Sequence, residues 1–404
     1  MKQALHRGLL ASLASLASLA LTGPALAQER FKPAPSDRLV AAVHAQAGRD
    51  GALRALDQAW RADPKNLDAA LAFARAVFVL GLRQGDLRWY GSARAALAPW
   101  WEASELPAQA YFLRGLVKQG FHDFDGGLRD IKKAIDKDRA QAEFWSWRFA
   151  LHLLLADMNA ARQDCDEIAK LFGQEEAEIY RAVLLYRTGQ PAQAVAKLQR
   201  AVGAPGFKDP ASQDWIGFHL GEALRVAGQT SLALATWDKF LKAQAQSHLL
   251  RLSLVELLNQ SGRYAEAKKL IALDTATDAL LMQAVIASRG LKDGEEARLA
   301  RLLELRLQSQ AQRGESLIER PKLIYLIAYG KDPAAGLALS IDNWKLQKEP
   351  PDALLFVQAA LAVNQPRAAE PVIAWAQQTG YTDAELTPLI EQLKSHPQWN
   401  RSSR

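Results

Sequence analysis

The chain has 404 residues, with 50 Lys+Arg against 44 Asp+Glu and a single cysteine. One cysteine excludes an internal disulfide, so stability has to come from packing. A formal charge of +6 over this length is too mild to point to nucleic acid. Apolar residues make up 49%, weighted toward alanine and leucine and without strand-like Val/Ile/Thr runs, so the expected fold class is all-α. Low-complexity tracts and long like-charge blocks, the mark of large disordered tails, are missing.

Residues 1–27 read as a secretory signal peptide. Lys2 and Arg7 give a basic start, Leu9 to Leu21 an apolar run, and Gly23-Pro24 a break. Ala25-Leu26-Ala27 then supplies the small-x-small pattern for cleavage before Gln28. The alternative is an uncleaved anchor, but the apolar run falls short of the ~20 residues a membrane span needs. No cysteine follows the run, which excludes a lipoprotein anchor. Cleavage leaves 48 Lys+Arg against 44 Asp+Glu. The expected product is soluble and periplasmic or secreted, with no later segment able to span a bilayer.

Residues 28–35 form an extended linker, because Pro33 and Pro35 discourage helix. Ser36-Asp37 caps a first helix to about Ala47, and Gly48 to Gly51 turn the chain. Ala52, Leu56 and Ala59 line a second helix that ends at Ala62-Asp63-Pro64, since proline cannot continue it. A second unit opens at Leu67 with Ala70, Phe73, Ala74 and Val77 on one stripe. A long turn from Gly81 to Gly91 carrying Trp89 and Tyr90 is expected, then a helix from about Ser92 to Pro99-Trp100-Trp101. Such an aromatic turn suits either a binding lip or a plug over the end of a stack.

The stretch Ala108–Phe172 holds two units that superimpose at a fixed offset. Tyr111, Gly115, Phe124, Ile131, Ala134 and Ile135 are matched 34 positions later by Trp145, Phe149, Met158, Cys165, Ile168 and Ala169. A fifth unit carries Arg181-Ala182, Gly189-Gln190-Pro191 and Ala194, and a loop insert follows from Gly203 to Asp209. The sixth carries Leu220-Gly221, Gly228 and Ala233; the seventh, Gly262-Arg263-Tyr264-Ala265-Glu266-Ala267. Beyond Asp274 the pattern loosens. Helical pairs are still expected at Ala279–Arg289 with Glu295–Gln312, Leu317–Tyr329 with Pro333–Lys348, and Asp352–Val363 with Arg367–Gln378. A capping helix, Asp383–Lys394, and a frayed Arg401–Arg404 close the chain.

A period of about 34 residues with two helices per period resembles the tetratricopeptide (TPR) superfamily. It implies an α-α solenoid of stacked helical hairpins, none of which buries its apolar faces alone. The expected layout is a TPR array over residues 36–274 and degenerate TPR-like pairs with a capping helix over 275–404. Three stretches resemble a narrower group of exported bacterial TPR proteins: Gly85 to Trp101, His122-Asp123-Phe124, and Asn343 to Pro350. That group tends to be encoded near membrane proteins of the hydrogenase/urease-accessory type, which implies a metal- or envelope-related partner. The resemblance brings no catalytic residues.

Chemistry-bearing motifs are missing. There is no phosphate-binding glycine loop, His-Glu-x-x-His, Gly-x-Ser-x-Gly or Cys-x-x-Cys, so no cofactor is implied. His44, His122, His152, His219, His248 and His396 are scattered, with no two at helical spacing for a metal. His122, Asp123 and Asp125 share a turn, where aspartate ordinarily serves as a helix cap. Cys165 falls on a slot that faces its own hairpin, beside Asp164 and Asp166, which would disfavour a thiolate. A cell-wall enzyme of the lytic transglycosylase type resembles a helical ring but needs an added lysozyme-like module, and helical pairs leave no room for one. A non-catalytic role follows.

A TPR stack does offer a concave groove. Alignment to the family's inner slots places Glu143, Trp147 and Leu154 there, then Glu176, Tyr180, Tyr186 and Arg187. The next units contribute Trp215, Phe218, His219, Glu222 and Arg225, then Ser253, Glu256, Asn259 and Gln260. Trp147, Tyr180 and His219 share one slot and are expected to form a ladder. Rings with guanidinium and amide groups between them suit an extended peptide. The opposing possibility is a tightly wound superhelix whose axis these rings fill. The expected function is a periplasmic scaffold or adaptor binding a protein or peptide through Trp147, Tyr180, Tyr186, Arg187, Trp215, His219, Arg225 and Asn259. The alternative is an accessory protein for a neighbouring envelope or metal-transport membrane protein.

Overall fold

A computed structural model describes residues 51–84, 88–272, 277–312 and 320–399. The leader, the linker, the helix ending near Ala47, Gly85-Asp86-Leu87 and Arg401–Arg404 lie outside the described residues. Among the described residues there are twenty α-helices and no strand.

The 34-residue offset is a structural repeat. Helices α4 (Ala108–Gly120) and α5 (Phe124–Lys137) are followed by α6 (Ala142–Leu154) and α7 (Met158–Phe172), with both start points displaced by 34. Asp123 and Asp157, also 34 apart, cap α5 and α7 by accepting from the Gly126 and Ala160 amides at 2.9 Å. The hairpin turns repeat a left-handed residue: His122, Ala156, Gly189, Gly228, Gly262 and Asn364 all have φ between 60° and 78°. This conformation reverses the chain between antiparallel helices. Within the first hairpin, Gly115 and Gly127 let the helices close, since a Cβ on either would lie 2.9 Å from the other's carbonyl oxygen.

The array continues through α8 (Gln174–Arg187) and α9 (Pro191–Gly203), α10 (Pro210–Val226) and α11 (Thr230–Ala243), then α12 (His248–Gln260) and α13 (Tyr264–Lys269). Helices α14 (Asp278–Leu291), α15 (Glu296–Gln312), α16 (Arg320–Leu326), α17 (Pro333–Leu346) and α18 (Pro350–Ala362) follow. Helices α19 (Glu370–Thr379) and α20 (Leu386–Ser395) complete it. Ahead of them all stand α1 (Gly51–Ala62), α2 (Leu67–Gln84) and α3 (Arg88–Ala96). One apolar core runs from Phe73 to Leu393.

Three expectations need correction. The turn expected from Gly81 to Gly91 does not cover all of those residues: α2 runs on to Gln84, and α3 begins at Arg88, so Trp89 and Tyr90 are helical. Only glycine breaks this stretch, and burial outweighs it: Tyr90 is buried and stacks on Phe78 at 4.9 Å. Second, the helix expected from Arg367 is split into a 3-10 turn at Pro366–Ala369 and α19 from Glu370, because Pro371 fits only a first helical turn. Third, Asp383 precedes its helix; its carboxylate caps it by accepting from the Glu385 and Leu386 amides at 2.8 and 2.6 Å.

Candidate functional site

Inner-slot residues on the first helices of successive hairpins meet one another. Tyr180 lies edge-on to Phe149 and tilts against Trp215, both at 5.2 Å, and Trp215 meets His219 at 4.3 Å. The Tyr186 hydroxyl and His219 Nδ1 share a 2.8 Å hydrogen bond. Tyr180, Trp215, His219 and Tyr186 therefore form one continuous file of rings. Trp147 departs from the expected ladder. It packs on Phe78 of α2 at 5.9 Å, because α2 crosses this side of α6, where Arg75 also pairs with Glu143 at 2.6 Å.

Burial sorts the expected groove residues. Tyr180, Tyr186, Arg187 and Asn259 are buried, while Trp147, Trp215, His219 and Arg225 are half-buried. Asn259 faces the next repeat, where its amide donates to the Gln283 backbone oxygen at 3.0 Å and side-chain oxygen at 2.9 Å. It stitches α12 to α14.

What covers the inner face is the C-terminal part of the same chain. Arg187 Nη1 lies 3.2 Å from Glu349 Oε1, and Arg225 Nη1 lies 3.5 Å from Asp383 Oδ2. The Lys348 amide donates to the Leu154 carbonyl at 2.8 Å, satisfying an end of α6 that has no helical partner. Gly189 approaches Gly380 so closely that a Cβ there would sit 2.2 Å from the Gly380 oxygen. Arg320 of α16 binds Asp352 of α18 at 3.1 Å and reaches Glu349 at 4.0 Å. Helices α12 and α2 also touch. Glycine at 189 is what makes the close approach possible.

The electrostatics follow from this enclosure. Burial drives the His219 pKa down to about 3, with Arg187 adding to the effect, so the ring is neutral at physiological pH. Burial opposes the charge on Glu349, yet Arg187 and Arg320 hold its carboxyl below the ordinary range. Glu256 differs. Burial raises it to about 7, with Arg320 opposing the rise and Glu222 adding to it. It lines a cavity of about 80 Å³ together with Glu222, Arg225, Ser253, Gln260, Asp383 and Glu385. Burial also raises Glu385, against the pull of Arg225.

The remaining sequence candidates have structural neighbours. Cys165 is buried, and burial pushes its thiol up to about 12, which disfavours a nucleophile. Asp123 serves as the cap described above. Among the described residues no group of three or more His, Cys, Asp or Glu is placed to hold a metal. None of the described helices is long and apolar enough to cross a membrane.

A buried charge pattern went unread in the sequence. Arg114 binds Asp130 through two contacts of 2.7 Å, and Lys118 joins it at 2.8 Å. Thirty-four residues on, Arg148 and His152 bind Asp164 at 2.5–2.9 Å. The signal was available, since Arg114/Arg148, Lys118/His152 and Asp130/Asp164 obey the same offset as the apolar slots.

These hairpins and their period define a TPR-type α-α solenoid. Its solved likenesses include the type IV pilus biogenesis factor PilW, at 17% identity over 53% of this chain and 96% of that one, TM-score 0.39. Another is a Rap protein complexed with competence and sporulation factor, at 15% identity over 87% and 95%, TM-score 0.42. Yeast Tom70 is similar at 13% identity over 85% and 58%, TM-score 0.33. No protein-family model matches the sequence, and no curated protein matches it significantly.

Proposed function

We propose that this chain is a non-catalytic scaffold or adaptor of the cell envelope that holds a protein partner against the inner face of its helical array. The observation that carries the reading is the file of rings Tyr180, Trp215, His219 and Tyr186 set beside Arg187 and Arg225. Aromatic and arginine side chains gathered side by side are the residue types that dominate protein interfaces. The half-buried Trp215, His219 and Arg225, and Trp147 standing apart from the file against Phe78, are where a partner makes first contact. The leader pattern at residues 1–27 supports a periplasmic site of action.

Two measurements test this. The amino terminus of protein recovered from a periplasmic fraction should be Gln28. Affinity capture from envelope extract with wild type and with a Trp147→Ala/Trp215→Ala variant should show a partner lost from the variant. Equal recovery of every partner by both proteins would remove the inner face from the proposal.

A further inference from the structure

The seam between the C-terminal hairpins and the inner face is built like a bound peptide. Residues Gln347 and Glu349 are both extended, with φ/ψ of −143°/154° and −91°/145°. Between them, Lys348 offers its amide to Leu154, and Glu349 gives its carboxylate to Arg187. Backbone pairing plus a carboxylate on arginine is how an extended acidic segment is held. The Tyr381–Glu385 loop brings a second carboxylate, Asp383, to 3.5 Å from Arg225 on the next inner helix, with the Tyr381 hydroxyl donating to Asp383 at 2.8 Å. Gln347, Lys348 and Glu349 are each half-buried, so solvent reaches them, whereas α18 behind them is anchored by buried Phe356 and Val357.

We propose that Gln347–Glu349 and Tyr381–Glu385 are built-in occupants of the partner groove, and that the partner is an acidic extended segment that replaces them on Arg187 and Arg225. This rests on the scaffold reading above and names the chemistry of its partner. Exchange of one carboxylate for another conserves the ion pairs, so neither arginine is left buried without a counter-charge during the swap. The Arg187 charge then selects acidic over neutral or basic segments, while Arg225 also keeps Glu222 of its own helix at 3.1 Å. Because apparent affinity scales with the fraction of molecules whose groove is open, the internal occupant sets the threshold for binding.

The test uses the full mature chain and a fluorescein-labelled peptide of residues 346–355. A second acidic probe, a glutamate decapeptide, is read in parallel, as is a control with Gln and Asn in place of the acids. A Glu349→Gln/Asp383→Asn variant should exchange its amides over residues 347–353 faster than wild type. It should also bind both acidic probes about tenfold more tightly or better, as an opened groove requires. Adding Arg187→Ala should abolish the gain. Equal binding of the neutral control, or faster exchange with no gain in binding, would overturn the proposal. Should the double variant fail to fold, wild-type exchange decides. A Lys348 amide that exchanges faster than that of Val357 supports a displaceable segment, and equal rates overturn it. Loss of partner capture on Trp147→Ala/Trp215→Ala with no peptide binding would leave the scaffold standing and remove only the acidic partner.

Discussion

Arg114–Asp130 and Arg187–Glu349 are both arginine–carboxylate contacts inside the fold, at 2.7 and 3.2 Å, but 16 residues separate the first pair and 162 the second. The first is local. It joins the two helices of one hairpin and recurs as Arg148–Asp164 in the next. The second joins the inner face of the array to the chain after α17, and nothing periodic specifies it. The comparison teaches that repeat physics fixes each hairpin, whereas the way the array meets itself depends on single residues scattered across the sequence.

The largest effect should come from breaking the local kind. Arg114 also donates to the Trp100, Trp101 and Ala103 carbonyls, each at 2.9 Å. Arg114→Ala therefore leaves three carbonyls without their donor and the buried Asp130 with Lys118 alone, and urea unfolding should show a loss of about 3–5 kcal/mol.

The long-range kind should show itself through pH. Glu256 has a folded pKa raised above its unfolded value, so the folded state binds the proton more tightly. Its contribution is favourable at low pH and is lost as pH rises from the ordinary glutamate range to about 7. Glu256→Gln should therefore stabilise the protein by up to about 3 kcal/mol at pH 8 and change little at pH 4. Urea unfolding at the two pH values, run beside wild type, reads the difference. A gain equal at both would mean that Glu256 titrates normally.

Gly189→Ala sharpens the same region. The added Cβ would meet the Gly380 oxygen, so a loss of about 1–3 kcal/mol is expected, with faster amide exchange over Tyr381–Glu385 and little change in α4–α7. The smallest effect belongs to the regular hairpins. Ala156 holds φ of 62°, a conformation that suits glycine, so Ala156→Gly should raise stability by about 1 kcal/mol in thermal or urea unfolding.

The hairpins were legible because their information is local. The apolar slots from Tyr111 to Ala169, the Asp123 cap and the glycine turns at 189, 228 and 262 each act within a few residues of where they are read. The turn expected around Trp89 failed because burial of Tyr90 against Phe78 outweighed the glycines beside it. Slot alignment picked out Tyr180, Tyr186, Trp215 and His219, whose rings meet in the fold. It could not show that Glu349 and Asp383 would lie on Arg187 and Arg225. Those contacts carry no period, and a carboxylate in a loop reads like any solvated residue until the curvature of the array is known.

The central claim, that the C-terminal segment is seated on the inner face through specific ion pairs, is tested most directly by a double-mutant cycle. Urea unfolding of wild type, Arg187→Ala, Glu349→Ala and the double variant gives the coupling energy between them. The seated arrangement predicts a coupling above about 1 kcal/mol, and additive losses would contradict it.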